Sequence, residues 1–185
     1  MPQLVIAGAL LFCCFSAVAL VDGTYFHIWK YKLYMRPESF WEHVTHTLNA
    51  ALFPPTVFLL LYRNVAGRAL WLAVVVIAAD MAVESWDVLI ERASRASLGG
   101  LTPIEYLCHV FAVTFRVGGI AVLLASKSAA AWRWSAPSRL PDVAPAAVRW
   151  IALALIAGSA VTAAQHVWLM QPRFRRARAE VRKAA

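Results

Sequence analysis

Charged residues are scarce in this chain. Asp, Glu, Lys and Arg together make up 15% of the 185 residues, whereas 61% are hydrophobic. An ordinary soluble domain has about 25% charged residues, so the composition excludes that class. The mean hydropathy of +0.62 has the same origin. We therefore expect an integral membrane protein.

Cysteine is also rare, and the familiar catalytic signatures are missing. The three cysteines lack the spacing of a disulfide framework, so they are expected to be buried thiols. The sequence has no glycine-rich phosphate loop, no His-Glu-x-x-His zinc helix, no nucleophile elbow and no histidine boxes of the lipid desaturase kind. Any chemistry must therefore come from ionisable residues within the apolar segments.

Five apolar stretches are long enough to cross a bilayer, at residues 3–21, 43–62, 69–90, 103–125 and 147–170. A hydrocarbon core about 30 Å thick needs roughly 20 apolar residues per helical crossing. These stretches leave no room for a separate soluble domain. The predicted fold is an all-α integral membrane protein, a single bundle of five transmembrane helices over residues 1–172 with a basic cytoplasmic tail over 173–185.

Basic residues in the loops predict the orientation of the bundle. Eleven Lys and Arg lie on the side that holds the 22–42 loop, the 91–102 turn and the tail, and six lie on the other side. By the positive-inside rule the first side is cytoplasmic and the amino terminus is outside, as in a multi-pass protein of a bacterial-type inner membrane. The tail is expected to lie near anionic lipid headgroups, and nucleic acid is not expected as a partner.

All the histidines lie near segment ends on that predicted cytoplasmic side, which we call the histidine end. They are His27, His43, His46, His109 and His166. An acidic stripe on the third segment runs toward the same end, and its spacing of i, i+4, i+7 and i+11 occupies one helical face. The stripe consists of Asp80, Glu84, Asp87 and Glu91. Ionisable groups in a bilayer are costly and mark function, and converging imidazoles and carboxylates predict a metal site.

Depth along the helices selects the predicted metal ligands. Counting the helical rise from the histidine end places His46, Glu84 and His109 at one level, so these three are the first candidates. Asp87 and His43 lie about one turn nearer the surface and are expected to bridge or to complete the coordination sphere. The predicted ion is Fe, Zn or Mn, and the sequence leaves open whether the site holds one ion or two.

Two glutamates near this end have a structural explanation. Glu42 and Glu105 each lie three residues after a capping residue, Ser39 and Thr102 respectively, and are expected to close capping boxes at helix starts. Both are therefore less favoured as metal ligands.

The two remaining histidines are also less favoured. His27 lies in a segment of alternating aromatic and basic residues, which favours an interfacial extension over a lid that supplies a ligand. His166, near the end of the last segment, is expected to be interfacial or to support a ligand.

Arg116 lies deep in the fourth segment and needs an anionic partner there. Asp80 is the predicted partner, which makes this pair structural and removes Asp80 from the ligand set.

Four functions are consistent with these patterns. The favoured one is a metal-dependent membrane oxidoreductase, ahead of a hydrolase, that acts on an apolar small molecule near the cytoplasmic face. A b-type haem protein would use His46 and His109 as axial ligands, but the acidic stripe would then need partners of its own. A cation or proton transporter would use Asp80, Glu84 and Asp87 as a relay, although the outer half of the bundle offers little polar path. A non-catalytic scaffold or assembly subunit would dock a partner at its charged end.

Overall fold

A computed structural model describes residues 2–141 and 145–174 of the chain. The chain is about 85% helical, and its described residues contain no strands. Most of the predicted basic tail, residues 175–185, lies outside the described residues. The long α-helices are α1 (Pro2–Leu20), α2 (Phe40–Val57), α3 (Gly67–Arg95), α4 (Pro103–Ala125) and α5 (Ala146–Leu169).

Four helical segments of the described chain are long and apolar enough to cross a membrane: Pro2–Lys30, Pro37–Tyr62, Pro103–Ala125 and Ala146–Leu169. This supports a helical membrane protein. The acidic helix α3 is not one of these four, so its role as a fifth span stays a prediction.

The first and second apolar segments are longer than α1 and α2 because each continues as a π-helix. One π-helix covers Val21–Lys30 after α1, and the other covers Phe58–Tyr62 after α2. Pro54 and Pro55 lie inside α2 just before the second of these. Proline removes backbone donors, and π-helical turns are one way in which a helix accommodates the loss.

The helices pack in two groups. α1 packs along α4, and α2 packs along both α3 and α5. Gly119 permits the first contact, because a Cβ there would lie 2.6 Å from a ring carbon of Phe12. Gly8 also permits the contact between α1 and α4, because a Cβ there would lie 2.6 Å from Leu123 Cγ. Small residues thus bring two helix backbones together, as is common in membrane bundles.

Apolar residues fill the bundle at the end opposite the histidines. Phe12, Val57, Leu70 and Leu123 are fully buried there, with rings of Phe12 and Phe53 in edge-to-face contact at 5.2 Å between centroids. The polar cluster described below therefore stands on a packed apolar base.

Lys127 is a buried cation in the loop after α4, outside the four apolar segments. Its Nζ donates to Asn64 Oδ1 at 2.8 Å, and burial lowers the pKa of Lys127 to about 8. A buried ammonium with an uncharged partner is costly, so folding makes Lys127 easier to deprotonate than it is in the unfolded chain.

We expect the cost of Lys127 to diminish at alkaline pH. Between about pH 8 and 10.5 the unfolded chain retains a proton that the folded chain has lost, so the free energy of unfolding rises with pH. Lys127→Met should therefore raise the melting temperature in detergent at pH 7, and the difference from wild type should shrink toward pH 10. A difference that stays constant across this range would contradict the assignment.

Candidate metal centre

A buried cluster of acidic, basic and imidazole side chains occupies the histidine end of the bundle. It lies where α1 and its π-helix end, α2 and α4 begin, and α3 and α5 end. Ionisable groups are rarely buried unless they are paired with one another. The cluster members from which the centre is built are Asp22, His27, Glu42, His46, Asp87, Glu91, Arg95, Glu105 and His109.

The guanidinium of Arg95 joins three elements of this cluster. Nη1 donates to Glu42 Oε2 of α2 at 2.6 Å, and Nη2 lies 2.8 Å from Glu105 Oε1 of α4. Nη2 also lies 3.0 Å from His27 Nε2. Arg95 is fully buried, so each of these contacts replaces water that the charge has lost.

The π-helix supplies two members of the cluster, Asp22 and His27. In a π-helix the backbone hydrogen bond joins i and i+5, as Phe26 O and Tyr31 N do at 2.9 Å. Residues five apart therefore lie on the same face, and His27 Nε2 lies 3.3 Å from Asp22 Oδ2. The prediction of an interfacial extension for His27 is wrong: its side chain is 3% exposed and points into the bundle.

α2 and α4 share a pattern: in each helix a glutamate is followed four residues later by a histidine. Glu42 and Glu105 both hold Arg95, and His46 and His109 follow them by one turn. Each of these histidines contacts an acid of α3, and both acids lie on the α3 face that also carries Arg95. His46 Nε2 lies 3.4 Å from Asp87 Oδ2, and His109 Nδ1 lies 2.7 Å from Glu91 Oε1.

Two groups of three side chains have ligand atoms close enough to hold a metal ion. One is Asp22, His27 and His109, the other is His27, Glu42 and His46, and within each group the atoms lie within 4.8 Å of one another. Ligands at about 2.1 Å from a tetrahedral ion are roughly 3.4 Å apart. Two measured distances lie on either side of that value. His109 Nε2 is 3.2 Å from Asp22 Oδ2, and His46 Nε2 is 3.8 Å from Glu42 Oε1.

Two carboxylate oxygens of these groups are buried without a hydrogen bond. Among the described residues, Glu42 Oε1 and Asp22 Oδ1 have no hydrogen-bond partner, and His46 Nε2 and His109 Nε2 face carboxylate oxygens at 3.4 and 3.2 Å. Buried polar atoms are normally satisfied, so the two oxygens need an explanation. His109 also places its other ring nitrogen against Glu91, which is how carboxylates orient metal-binding histidines. A cation in either group of three would give the carboxylate of that group, Asp22 or Glu42, a further partner.

The predicted ligands are divided between this centre and its surroundings. His46 and His109 belong to different groups of three, and His27 belongs to both. Asp87 faces His46 and accepts a hydrogen bond from Thr45.

Two other predicted ligands lie outside both groups. Glu84, expected on the same plane as His46 and His109, instead accepts from Arg116 Nη1 at 3.1 Å and from Asn49 Nδ2 at 3.0 Å. His43 stacks on His166, with ring centroids 4.7 Å apart, and its Nε2 lies 3.0 Å from the His166 carbonyl oxygen.

The two capping predictions have different outcomes. The box of Thr102 and Glu105 is present, and Glu105 holds Arg95 at the same time. The prediction of a box formed by Ser39 and Glu42 is wrong. Glu42 turns inward to Arg95, and Ser39 Oγ donates to the Ser94 carbonyl oxygen. A buried guanidinium offers a carboxylate a stronger partner than a backbone amide does.

Sequence reasoning missed Asp22 and Arg95. The pairing of Asp22 with His27 can be seen only by comparing residues five apart. The α-helical periods compare residues three and four apart and therefore miss it. Arg95 resembled an ordinary basic residue at a cytoplasmic helix end. Its position eight residues after Asp87 and four after Glu91, on the acidic face of α3, was the available indication.

A cavity of about 630 Å³ extends from the cluster into the bundle. Its upper wall includes Asp22, His46 and His109, so it reaches both groups of candidate ligands. Deeper in, its wall is mostly apolar and includes Phe15, Phe53, Val113 and Leu155. The volume is in the range of cavities that enclose small-molecule ligands.

In comparisons with known proteins, no family model, no curated protein and no solved structure matches this chain. The function must therefore be argued from the chemistry of the cluster and the cavity.

Removing the charge of Arg95 should destabilise the bundle strongly. Arg95→Met leaves Glu42 and Glu105 buried without their cation, and breaking a buried ion pair from one side costs about 3–5 kcal/mol. We expect Arg95→Met with Glu105→Gln to recover part of the loss in a thermal melt. If the double variant melts no higher than the single one, the guanidinium does not bind Glu105 as described.

The second buried pair, Asp80 and Arg116, allows a similar test. Arg116 Nη2 donates to Asp80 Oδ1, and both side chains are buried. Asp80→Asn should lower stability because Arg116 keeps only Glu84, and adding Arg116→Gln should restore part of it. Additive losses in a double-mutant cycle would show that the two side chains do not interact.

Proposed function

We propose that this protein is a membrane-embedded metalloprotein whose centre is formed by Asp22, His27, Glu42, His46 and His109. The observation that supports the proposal is the sharing of His27 between two groups of candidate ligands. In each group, two of the three pairs of ligand atoms lie 3.2–3.8 Å apart, close to the separation that a common cation requires, and all three atoms lie within 4.8 Å of one another. The buried oxygens Glu42 Oε1 and Asp22 Oδ1, which have no hydrogen-bond partner, add support.

The donors fit Fe, Zn or Mn. Imidazole suits Zn and Fe, and carboxylate oxygens extend the range to Mn, whereas no thiolate lies in either group of three to select a softer ion. His27 Nε2 has one lone pair, which faces Arg95 Nη2 at 3.0 Å, so it can bind an ion in only one of the two groups at a time, once the guanidinium has turned toward its carboxylates. Asp87 and Glu91 place further carboxylates beside the two outer histidines, which is the donor supply that a second ion needs.

A haem between His46 and His109 is less favoured than an ion. The His27 ring lies 4.4 Å from that of His46 and 6.1 Å from that of His109, centroid to centroid. Asp22 Oδ2 also lies within 3.3 Å of both His27 and His109. These groups occupy the space next to the axial positions, which a porphyrin would need for its ring.

The membrane arrangement that we propose has five spans. α3 has 29 residues, which at about 1.5 Å per residue gives roughly 43 Å, enough for a core about 30 Å thick. The acids of its stripe face partners on other helices, as Asp80 faces Arg116 and Glu91 faces His109, so they do not face lipid. With the basic loops at the histidine end, the amino terminus is outside and the centre lies near the cytoplasmic surface.

An oxidoreductase that acts on an apolar substrate is the activity that fits this arrangement best. The cavity connects the centre with a mostly apolar interior, which suits a substrate dissolved in the bilayer. A bound metal supplies Lewis acidity or, for Fe and Mn, electrons. The residues of this chain orient the donors, hold the neighbouring carboxylates and exclude bulk water.

Metal analysis of protein purified without chelators tests the proposal. We expect wild type to contain Fe, Zn or Mn at one or two ions per chain, and His27→Ala to lose most of it because His27 serves both groups. His109→Ala should lose part of the metal, with little change in expression. A visible spectrum with a haem band would favour the alternative with axial histidines.

His166→Gln is the matched control. His166 is buried at the same end of the bundle but belongs to neither group of three. The metal content of His166→Gln should therefore equal that of wild type. A metal-free wild type, even after incubation with each of the three ions, would refute the metalloprotein and leave the transporter or the scaffold.

A further inference from the structure

α3 and α4 are joined across a gap by polar side chains. Each packs along a different neighbour, α3 along α2 and α4 along α1, and they do not pack along one another beyond their shared turn. Near the histidine end the gap is bridged by His109 and Glu91, 2.7 Å apart. Deeper in the bundle it is bridged by Arg116, which holds Asp80 and Glu84.

Between these two bridges the cavity meets the bundle surface. Val88 of α3 and Val110 of α4 line the cavity and are also strongly exposed, at 61% and 42%. Both side chains are apolar, so the rim that they form suits contact with lipid tails and not with water. A molecule dissolved in the bilayer can therefore enter sideways and reach the ligands His46 and His109.

The cavity also contains a polar group that is not part of the metal centre. Asn49 and Glu84 lie on its wall one helical turn deeper than His46 and Asp87, and Arg116 lies beside them. Within the described chain, Asn49 Oδ1 and Arg116 Nε are buried without a hydrogen-bond partner. One is an acceptor and the other a donor, which is the pair that a hydroxyl group satisfies.

The charge balance here disfavours an ionic ligand. Arg116 is the cation of this group, and it already contacts two carboxylates, Asp80 and Glu84. A ligand carboxylate would add a third negative charge beside them. A ligand ammonium would meet Glu84, which already accepts hydrogen bonds from Asn49 and Arg116, or Asp87 one turn away, which already accepts from Thr45 and faces His46. An uncharged oxygen disturbs neither pair and pays a smaller desolvation cost.

We infer that the cavity is a binding site for an uncharged, long-chain lipid alcohol, which enters between α3 and α4 and bonds its hydroxyl to Asn49 and Arg116. The inference rests on the proposed function, since it names the substrate class of the same centre. The hydroxyl would then lie one helical turn from His46, with the carbons next to it beside the centre and the remaining chain among Phe15, Phe53 and Leu155.

Gly158 offers a way to close the cavity without disturbing the centre. It lines the cavity on α5, and a Cβ at this position would meet nothing within 4 Å. Gly158→Phe should fill the space that the chain of the lipid would occupy. Ala160→Phe is the matched control, because Ala160 is exposed on the same helix and does not line the cavity.

The probe is hexadecanol with a photoreactive diazirine in its chain, bound to the protein in lipid nanodiscs and mapped by peptide mass spectrometry. We expect labels on the cavity-facing parts of α4 and α5, and a fall of about tenfold in Gly158→Phe, equivalent to roughly 1.4 kcal/mol. Ala160→Phe should be labelled like wild type. Equal labelling of the two variants would overturn the inference.

The headgroup is tested with matched diazirine probes that end in a carboxylate, an ammonium or a methyl group. The alcohol should label most strongly, and Asn49→Leu should remove its advantage over the alkane. Stronger labelling by the acid or the amine would overturn the choice of an uncharged head.

Metal content measured on the same samples separates the two proposals. Gly158→Phe should keep the metal content of wild type, since it lies outside both groups of ligands. Specific labelling of a metal-free protein would refute the metal centre and retain the lipid site. A metal-loaded protein without specific labelling would refute the lipid site and retain the metal centre.

Discussion

The burial of one guanidinium, that of Arg95, constrains the whole histidine end. A charge removed from water is tolerated only with partners of opposite sign, and Arg95 finds two, Glu42 on α2 and Glu105 on α4. Because both carboxylates contact the same group, the first turns of α2 and α4 must lie level with the last turn of α3. His46 and His109, one turn further along, are then brought to a common level as well.

The positions of the helices follow closely from the sequence. The predicted segments at 103–125 and 147–170 match α4 and α5 to within one residue, because runs of apolar residues there are bounded by a capping box or by proline. The place where ionisable side chains cluster was also predictable, since imidazoles and acids deep in apolar segments have few structural uses. The contact between Asp80 and Arg116 follows the same reasoning, because a buried cation needs a nearby acid.

The choice of partners within that region was not predictable. Glu84 and Asp87 lie three residues apart on one helix face, yet Glu84 binds Arg116 whereas Asp87 faces His46. Which acid meets which base depends on how far each neighbouring helix stands from α3, and sequence periodicity carries no information on that distance. The π-helix was equally hidden: at the α-helical 100° per residue, Asp22 and His27 would lie about 140° apart.

The gap between α3 and α4 has a consequence for how these helices separate. In water, parting two helices exposes apolar surface and costs free energy, but lipid tails are as apolar as the side chains that they would replace. In the five-span arrangement that we propose, widening this gap therefore carries little hydrophobic cost. What resists it is the pair of polar contacts at either end, between His109 and Glu91 and between Arg116 and Asp80, which are strong where the dielectric constant is low. In that arrangement, polar contacts between side chains and not the surrounding lipid limit access to the interior.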